Sequence, residues 1–336
     1  MVAIAIEVWR GDRVESRHRA SLAVADRAGR LLLAVGEVDR PVYPRSAIKP
    51  LQALPLVESG AADAFGLGDA ELALACASHG GEPEHLAVVR AWLDRIGLDA
   101  SRLACGAHPP LHGPTAERLL AAGGRPTRLH NNCSGKHTGM LTLARHLGAP
   151  LEGYARPEHP VQVLIRDVLA ALADGRLETP PAIDGCGVPT WAIPLSALAT
   201  AFARFAAPDD LPPPRAAAAR RIARAMLRHP VLVAGTGRLC TALLEQGGGL
   251  LAKTGAEGVY VAALPERGLG LALKVEDGAA RAAEPALLAA LAAMGWLPAA
   301  AATALEPFAR PILRNHAGEP VGRILPVPGW PVEAAR

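Results

Sequence analysis

The two ends of this chain are patterned for strands and its middle for helices, a distribution that restricts the fold more than any single motif does. Residues 2–9, 18–25 and 30–38 carry β-branched or alternating apolar side chains, with Gly11-Asp12 and Ala28-Gly29 at the turns. That is the pattern of a three-stranded antiparallel meander. Residues 250–254, 259–264 and 269–275 repeat it late in the chain, joined by Gly-bearing turns. Between the two sets the apolar spacing becomes helical: 69–105 with a break at 77–82, then 115–122, 134–147 and 158–175, and one more helix after the Pro-rich linker at 206–214. An Ala/Leu helix over 281–295 follows the last strands, and Pro-rich irregular chain ends the sequence. The simplest way to bury such a sheet is to let N- and C-terminal strands share it, with helices on both sides. The expectation is a layered α/β fold in a single domain spanning 1–336, with strands near 2–38 and 250–275 and a mainly helical middle at 46–245.

Half of the residues are apolar but only 4% are aromatic, so Ala, Leu and Val must fill the core. The net charge of +3 is small and spread along the chain, which gives no reason to expect a nucleic acid or an acidic membrane as partner. Cysteines at 76, 105, 133, 186 and 240 are an odd number in a long chain. That is a poor disulfide framework and fits a reducing, cytoplasmic compartment. The N-terminus has no basic n-region or small-residue cleavage site, so no signal peptide is expected, and no apolar run is long enough to span a bilayer.

Four of the 35 basic residues are lysines: Lys49, Lys136, Lys253 and Lys274. The chain uses Arg wherever either would do, so each remaining Lys points to a task that Arg cannot perform. Arg stays protonated, whereas a buried Lys can lose its proton and act as base, nucleophile or ligand. Lys136 sits in Asn131-Asn132-Cys133-Ser134-Gly135-Lys136-His137-Thr138-Gly139-Met140, which gathers a thiol, an amine, an imidazole, carboxamides and hydroxyls into ten positions. Gly135 and Gly139 are expected to let the backbone turn tightly and approach a ligand.

Ser46 and Lys49 are three apart, the spacing at which one helical turn lets a neutral amine take the proton of an attacking hydroxyl. Pro50 favours a first turn, so the pair is expected on a helix lead-in. A lone S-x-x-K is a weak signal, expected by chance in about one such chain in ten. Ser78 precedes a Gly-Gly break and either points into a cleft or merely ends a helix. Cys186 lies in the glycine-framed turn 182–189, and with Cys133 and a nitrogen donor it could hold a soft metal, although most free cysteines are simply buried. Cys76, Cys105 and Cys240 are read as buried apolar residues, His108 and His112 as solvated loop residues, and Arg220, Arg221, Arg224 and Arg228 as a solvated helix face. Gly235-Thr236-Gly237-Arg238 lacks the third glycine and the preceding strand of a dinucleotide fingerprint.

Lys253-Thr254-Gly255 supplies a sharper signal, expected by chance in about one such chain in a hundred. S-x-x-K early and K-T-G late is the signature of serine β-lactamases and penicillin-binding proteins. The Ser-x-Asn element of those enzymes has no clean match; Ser78-His79-Gly80 is a candidate only in role. A closer resemblance covers nearly the whole chain. R-S-A-I-K-P-L-Q (45–52), A-S-H-G-G-E-P (77–83), N-N-C-S-G-K-H-T-G-M (131–140), D-G-C-G-V-P (184–189), G-T-G-R (235–238) and A-K-T-G-A-E-G (252–258) together resemble the rhizobial-type L-asparaginases, the class 3 or asparaginase II family.

The resemblance implies a β-lactamase-like fold, a homodimer, and hydrolysis of L-asparagine to L-aspartate and ammonia. It implies that Ser46 pairs with Lys49 and Ser78 with Lys253, and that Cys133, Lys136 and Cys186 bind Zn2+ with a water. Arg45, Asn131, His137 and Asp184 become candidate anchors for the substrate's carboxylate and amine. By residue type His137 is the more orthodox metal ligand, whereas the family pattern favours Lys136; Lys274 has no assigned role. The alternatives are a serine hydrolase of another amide (glutamine, a β-lactam or a D-peptide) and a non-catalytic zinc-binding protein of the same fold.

Overall fold

A computed structural model describes residues 2–335. The chain folds as two compact units: Met1–Ala47, Ala192–Ala207 and Ala242–Arg336 form the first, Ile48–Trp191 and Pro208–Thr241 the second.

The first unit is built on an eight-stranded antiparallel sheet. Its strands are β1 (Ile4–Arg10), β2 (Arg13–Asp26), β3 (Leu31–Val35), β4 (Leu251–Thr254), β5 (Val259–Leu264), β6 (Leu269–Val275), β7 (Ile312–Arg314) and β8 (Pro320–Pro326). The order is β7-β8-β1-β2-β6-β5-β4, with β3 also paired to β2. Terminal strands therefore share one sheet, as the two-ended pattern predicts. The expected meander does not form: β3 pairs with residues 22–25 of β2, whose other edge is taken by β6, so β1 and β3 lie end to end on one edge of β2. β2 is long enough to serve two neighbourhoods: residues 13–19 pair with β1, and residues 20–26 pair with β6 in register from Ala20↔Val275 to Asp26↔Leu269.

Alternation along β6 decides what each face meets. A Cβ on Gly270 would lie 2.1 Å from the Ala199 carbonyl oxygen, so this face lies directly on the Leu195–Ala206 helix. On the opposite face, Tyr260, opposite Leu273 in register, donates its hydroxyl to Glu284 in the Ala280–Ala293 helix. Leu22, Leu271, Leu273, Leu287 and Leu291 are fully buried. Each such side chain contributes roughly 1.5–3 kcal/mol of transfer free energy.

The end of the chain departs from expectation. The Pro-rich stretch is not irregular: β7 and β8 form a hairpin, and β8 pairs with β1 from Ile6↔Pro326 to Arg10↔Gly322. Pro320 and Pro326 stand at the ends of β8, where a missing N–H is tolerated. Asn315 closes the turn by accepting the Ala317 and Glu319 N–H groups on its side-chain oxygen. Gly322 is needed for register, because a Cβ there would lie 2.2 Å from the Trp9 carbonyl oxygen.

The second unit is mainly helical, with Asp69–Ala75, Pro83–Arg95, Gly113–Ala121, Ser134–His146, Pro160–Leu172 and Pro213–Arg228 as its principal helices. The arginines of the last helix are not a bare basic stripe. Arg221 pairs with Asp63, while Arg224 and Arg228 share Asp69. Arg215 grips Glu58 with two nitrogens at 2.8 and 3.1 Å. Among the described residues no helix is long and apolar enough to cross a membrane.

Candidate active site

In the first unit, β4 presents Lys253, which is 1% exposed and donates to the Thr254 carbonyl. Gly255 follows. A Cβ there would lie 2.5 Å from the Pro44 carbonyl oxygen and 3.2 Å from the Ala47 nitrogen. The glycine of K-T-G thus lets the turn at residues 44–47 close on the strand end, which sets Arg45 and Ser46 beside the K-T-G motif. Arg45 has φ 52°, a left-handed conformation uncommon for a side chain of its size. Residues Arg45–Ile48 form a 3-10 turn that leads into a short Lys49–Gln52 helix, so the S-x-x-K motif lies on a lead-in turn, as Pro50 suggests.

In the second unit, Lys49 is fully buried. Its amine bonds the Ala77 carbonyl and, at 3.0 Å, the Ser78 hydroxyl. The family resemblance pairs Lys49 with Ser46; the hydroxyl that the structure sets on the Lys49 nitrogen is that of Ser78. The loop that carries Ser78 is fixed from several directions. The Ser78 N–H donates to the Val233 carbonyl. Glu82 accepts both the N–H and the hydroxyl of Thr236, at 2.9 and 2.6 Å. A Cβ on Gly80 or Gly235 would come within 2.6 and 2.7 Å of the same Glu82 oxygen, so these glycines make the room for it.

His79 joins this loop to the Cys133 segment. Its Nδ1 accepts the Gly81 N–H at 3.1 Å, so Nε2 carries the proton and donates to Ser134 Oγ at 2.9 Å. Ser134 in turn donates to the Leu129 carbonyl. Burial, with His85 and Lys49 nearby, holds the His79 pKa well below the ordinary 6.5, so the imidazole is neutral.

Cys133 caps the Ser134–His146 helix, and Cys186 lies at the tip of a hairpin closed by Ala182↔Thr190 and Ile183↔Pro189. Asp184 shapes that tip by accepting the Gly185 N–H on its carboxylate. Lys136, one turn into the helix and 4% exposed, donates to Cys186 Sγ at 3.0 Å. The Cys133 thiol lies within hydrogen-bonding reach of both Asn132 Oδ1 and the Cys186 sulfur. That bond and the Lys136 ammonium, working against burial, bring Cys186 down to about 4, so it is a thiolate. Its bond to Cys186 and burial push Cys133 up to about 12. Burial pulls Lys136 down, but Cys186, Cys133 and Asp184 outweigh it, and the amine is held above its ordinary value. Two sulfurs and a nitrogen in one buried cluster are a donor set that fits a soft divalent metal, which would displace the protons on Lys136 and Cys133.

The other expected residues divide. Asn131 donates to the Cys105 and Gly106 carbonyls and accepts the Cys133 N–H, so its carboxamide is engaged with backbone. Tyr154 accepts the Ala104 N–H, which leaves its own proton for His137 Nδ1 at 2.7 Å. His137 therefore carries its remaining proton on Nε2, which is buried and has no hydrogen-bond partner among the described residues. Burial first, then Lys136, lowers the His137 pKa to about 3, so it is a neutral donor.

Gly135 and Gly139 do not approach a ligand as expected. A Cβ on Gly135 would lie 2.4 Å from the Leu74 carbonyl oxygen, and one on Gly139 would touch Leu56 and Trp92. They are helical glycines that let the Ser134–His146 helix come close to its neighbours. Sequence reasoning also missed His79 and Glu82, whose spacing in A-S-H-G-G-E-P was the available signal, and the neighbourhood of Cys105. Asn131 ties the Cys105 backbone to Cys133, and the Cys105 thiol is pushed up to about 12 by burial and by Cys133 and Cys186.

The chain is a member of the L-asparaginase II family, whose family model matches residues 6–326. No curated protein matches it. Among solved structures it is similar to the native form of Mglu, at 17% identity over 82% of this chain and 63% of that one, with a TM-score of 0.47. It therefore spans less than two thirds of Mglu. A β-lactamase from Mycobacterium bovis is 15% identical over 83% of this chain and 95% of that one, with a TM-score of 0.37. Simvastatin synthase from Aspergillus terreus is 12% identical over 76% and 84%, with a TM-score of 0.31.

Proposed function

We propose that the protein hydrolyses the side-chain amide of L-asparagine by serine–lysine acyl transfer. The observation that carries this reading is the fully buried Lys49 amine 3.0 Å from the Ser78 hydroxyl, in a chain of the L-asparaginase II family. With one N–H held by the Ala77 carbonyl, a neutral Lys49 turns its lone pair toward the hydroxyl and takes its proton. The serine oxygen attacks the carboxamide carbon, and backbone N–H groups stabilise the oxyanion. The leaving nitrogen takes up a proton and departs as ammonia, and water then cleaves the acyl-enzyme. Ser46 and Ser78 are the two candidate nucleophiles, and Lys253 serves as proton relay or substrate anchor. His137 offers its unpartnered Nε2–H to a substrate oxygen, with Arg45, Asp184 and Asn131 completing the family's anchoring set.

The same reading assigns Zn2+ to Cys133, Lys136 and Cys186. His137 is the weaker metal candidate, since its ring is hydrogen-bonded to Tyr154, whereas the Lys136 amine already lies 3.0 Å from Cys186 Sγ. When bound, the ion would supply a Lewis-acid position that orients substrate; the serine chemistry needs no Lewis acid. The family reading also carries a homodimer.

Ammonia release from L-asparagine and L-glutamine, measured for the wild type, Ser46→Ala and Ser78→Ala, tests the proposal. Asparagine turnover that falls at least about 10³-fold in one variant names the nucleophile. Preference for glutamine moves the substrate while keeping the chemistry. Turnover that survives both substitutions sinks the acyl-enzyme route, and turnover of neither amide by the wild type sinks the substrate.

A further inference from the structure

The fourth lysine is the one the site above leaves over. Lys274 lies on β6, opposite Val259 of β5 and Ser21 of β2. Its amine donates to the Glu257 and Val275 carbonyls, at 2.6 Å each. Glu257 belongs to the turn that leaves K-T-G, and it holds φ 59°, the left-handed region that a side chain such as glutamate adopts only under strain. The turn is tight: the next residue is Gly258 at φ 68°, where a Cβ would lie 2.8 Å from Val275 Cβ. Two bonds from β6 fasten this turn, the Val275 N–H to the Gly258 carbonyl and Lys274 to the Glu257 carbonyl. The other end of the turn is Gly255, against which residues 44–47 pack.

We infer that Lys274 is a positioning residue: it pins the strained turn after Lys253-Thr254-Gly255 and, through Gly255, fixes the turn that carries Ser46. A compact ammonium reaches both carbonyls from one point, whereas the planar fork of an arginine would spread its donors apart. This accounts for a lysine in a chain that otherwise prefers arginine. The inference rests on the serine–lysine reading for its catalytic consequence but not for its structural one.

The test uses the full-length protein with Lys274→Met, and Lys274→Gln in parallel should the first fail to fold. Amide hydrogen exchange is expected to rise at least tenfold at residues 255–259 while the cores of β2 and β6 keep wild-type protection. In parallel, kcat/KM for the amide substrate falls at least tenfold, and adding Glu257→Gly to Lys274→Met restores most of it, because glycine holds φ near 59° without the anchor. A merely stabilising lysine would not be rescued by a glycine one turn away. Exchange at 255–259 that stays at the wild-type level overturns the inference, as does an activity loss that Glu257→Gly leaves in place. Exchange requires no substrate, so a wild type that hydrolyses no amide would leave this measurement decisive.

Discussion

At the scale of single residues, a buried side chain keeps one protonation state, and that state determines what it can do. Lys49, Lys136 and Lys253 are all buried, which is what a bias from Lys to Arg implies for the lysines that remain. The bias does not say what each amine faces. That Ser78 lies on Lys49 depends on the path of the loop at 77–82, to which a three-residue spacing is blind. His79 is the clearest case of a fixed state, because its bonds to the Gly81 N–H and Ser134 require the neutral tautomer. Its folded pKa is depressed below 6.5, so its contribution to stability is complete above that pH and is lost as pH falls toward the folded value. The slope approaches about 1.4 kcal/mol per pH unit for one such group. His137, lowered to about 3, adds to the same decline. Urea midpoints measured from pH 7.5 down to 5 are expected to fall steadily, and His79→Gln is expected to start lower and fall less steeply. A variant with the full wild-type slope would show that His79 is not one of the groups responsible.

At the scale of elements, the loop bearing Ser78 has no regular structure of its own and takes its shape from Glu82. The carboxylate receives two donors from Thr236, and the glycines at 80 and 235 leave room for it. In Glu82→Gln one of those donors would face an amide N–H₂ group. A hydrogen bond to a charged group contributes about 1.5–3 kcal/mol, so losing one should lower the melting temperature by several degrees. The substitution should also lower kcat for ammonia release by about tenfold or more, since a sub-ångström shift of an attacking oxygen has that effect. Full activity in a destabilised Glu82→Gln protein would reduce Glu82 to a packing role. Elements were the most legible level of the sequence: alternation marked β1 to β6, and helical spacing marked the principal helices of the second unit. The Leu195–Ala206 helix that covers β6 went unread, and two further features escaped. Prolines hid the β7–β8 hairpin because they stand at strand ends, where their missing N–H does no harm. Gly135 and Gly139 resembled ligand-contact glycines because a helix–helix contact and a backbone–ligand approach ask for the same missing Cβ.

At the scale of the molecule, the sheet brings residues from both ends of the chain together, and the thiol–amine cluster does something similar within the second unit. Cys133 and Cys186 are 53 positions apart, yet a helix start and a hairpin tip bring them together beside Lys136. Either this is an ion-paired polar core or it is a metal centre, and the two differ in what they cost the fold. A buried thiolate–ammonium pair is weak evidence for stability, since desolvation can exceed the attraction. Metal binding to the folded state alone would stabilise it by about 4 kcal/mol when the free ion is at 1,000 times its Kd. Protein stripped of metal with a chelator and then given one equivalent of Zn2+ is therefore expected to melt several degrees higher. All three donors belong to the second unit, so hydrogen exchange should show the gain concentrated in residues 48–191. Cys133→Ser combined with Cys186→Ser should abolish both the shift and the stoichiometric binding measured by elemental analysis. Cobalt added in place of zinc should give the thiolate-to-metal absorption of two cysteine ligands in the wild type and none in the double variant. If the stripped protein melts at the same temperature with and without the ion, and no cobalt band appears, the cluster is an ion pair only. The fitness of two sulfurs and an amine for a soft metal would then be a by-product of burying the Lys136 charge beside a thiolate.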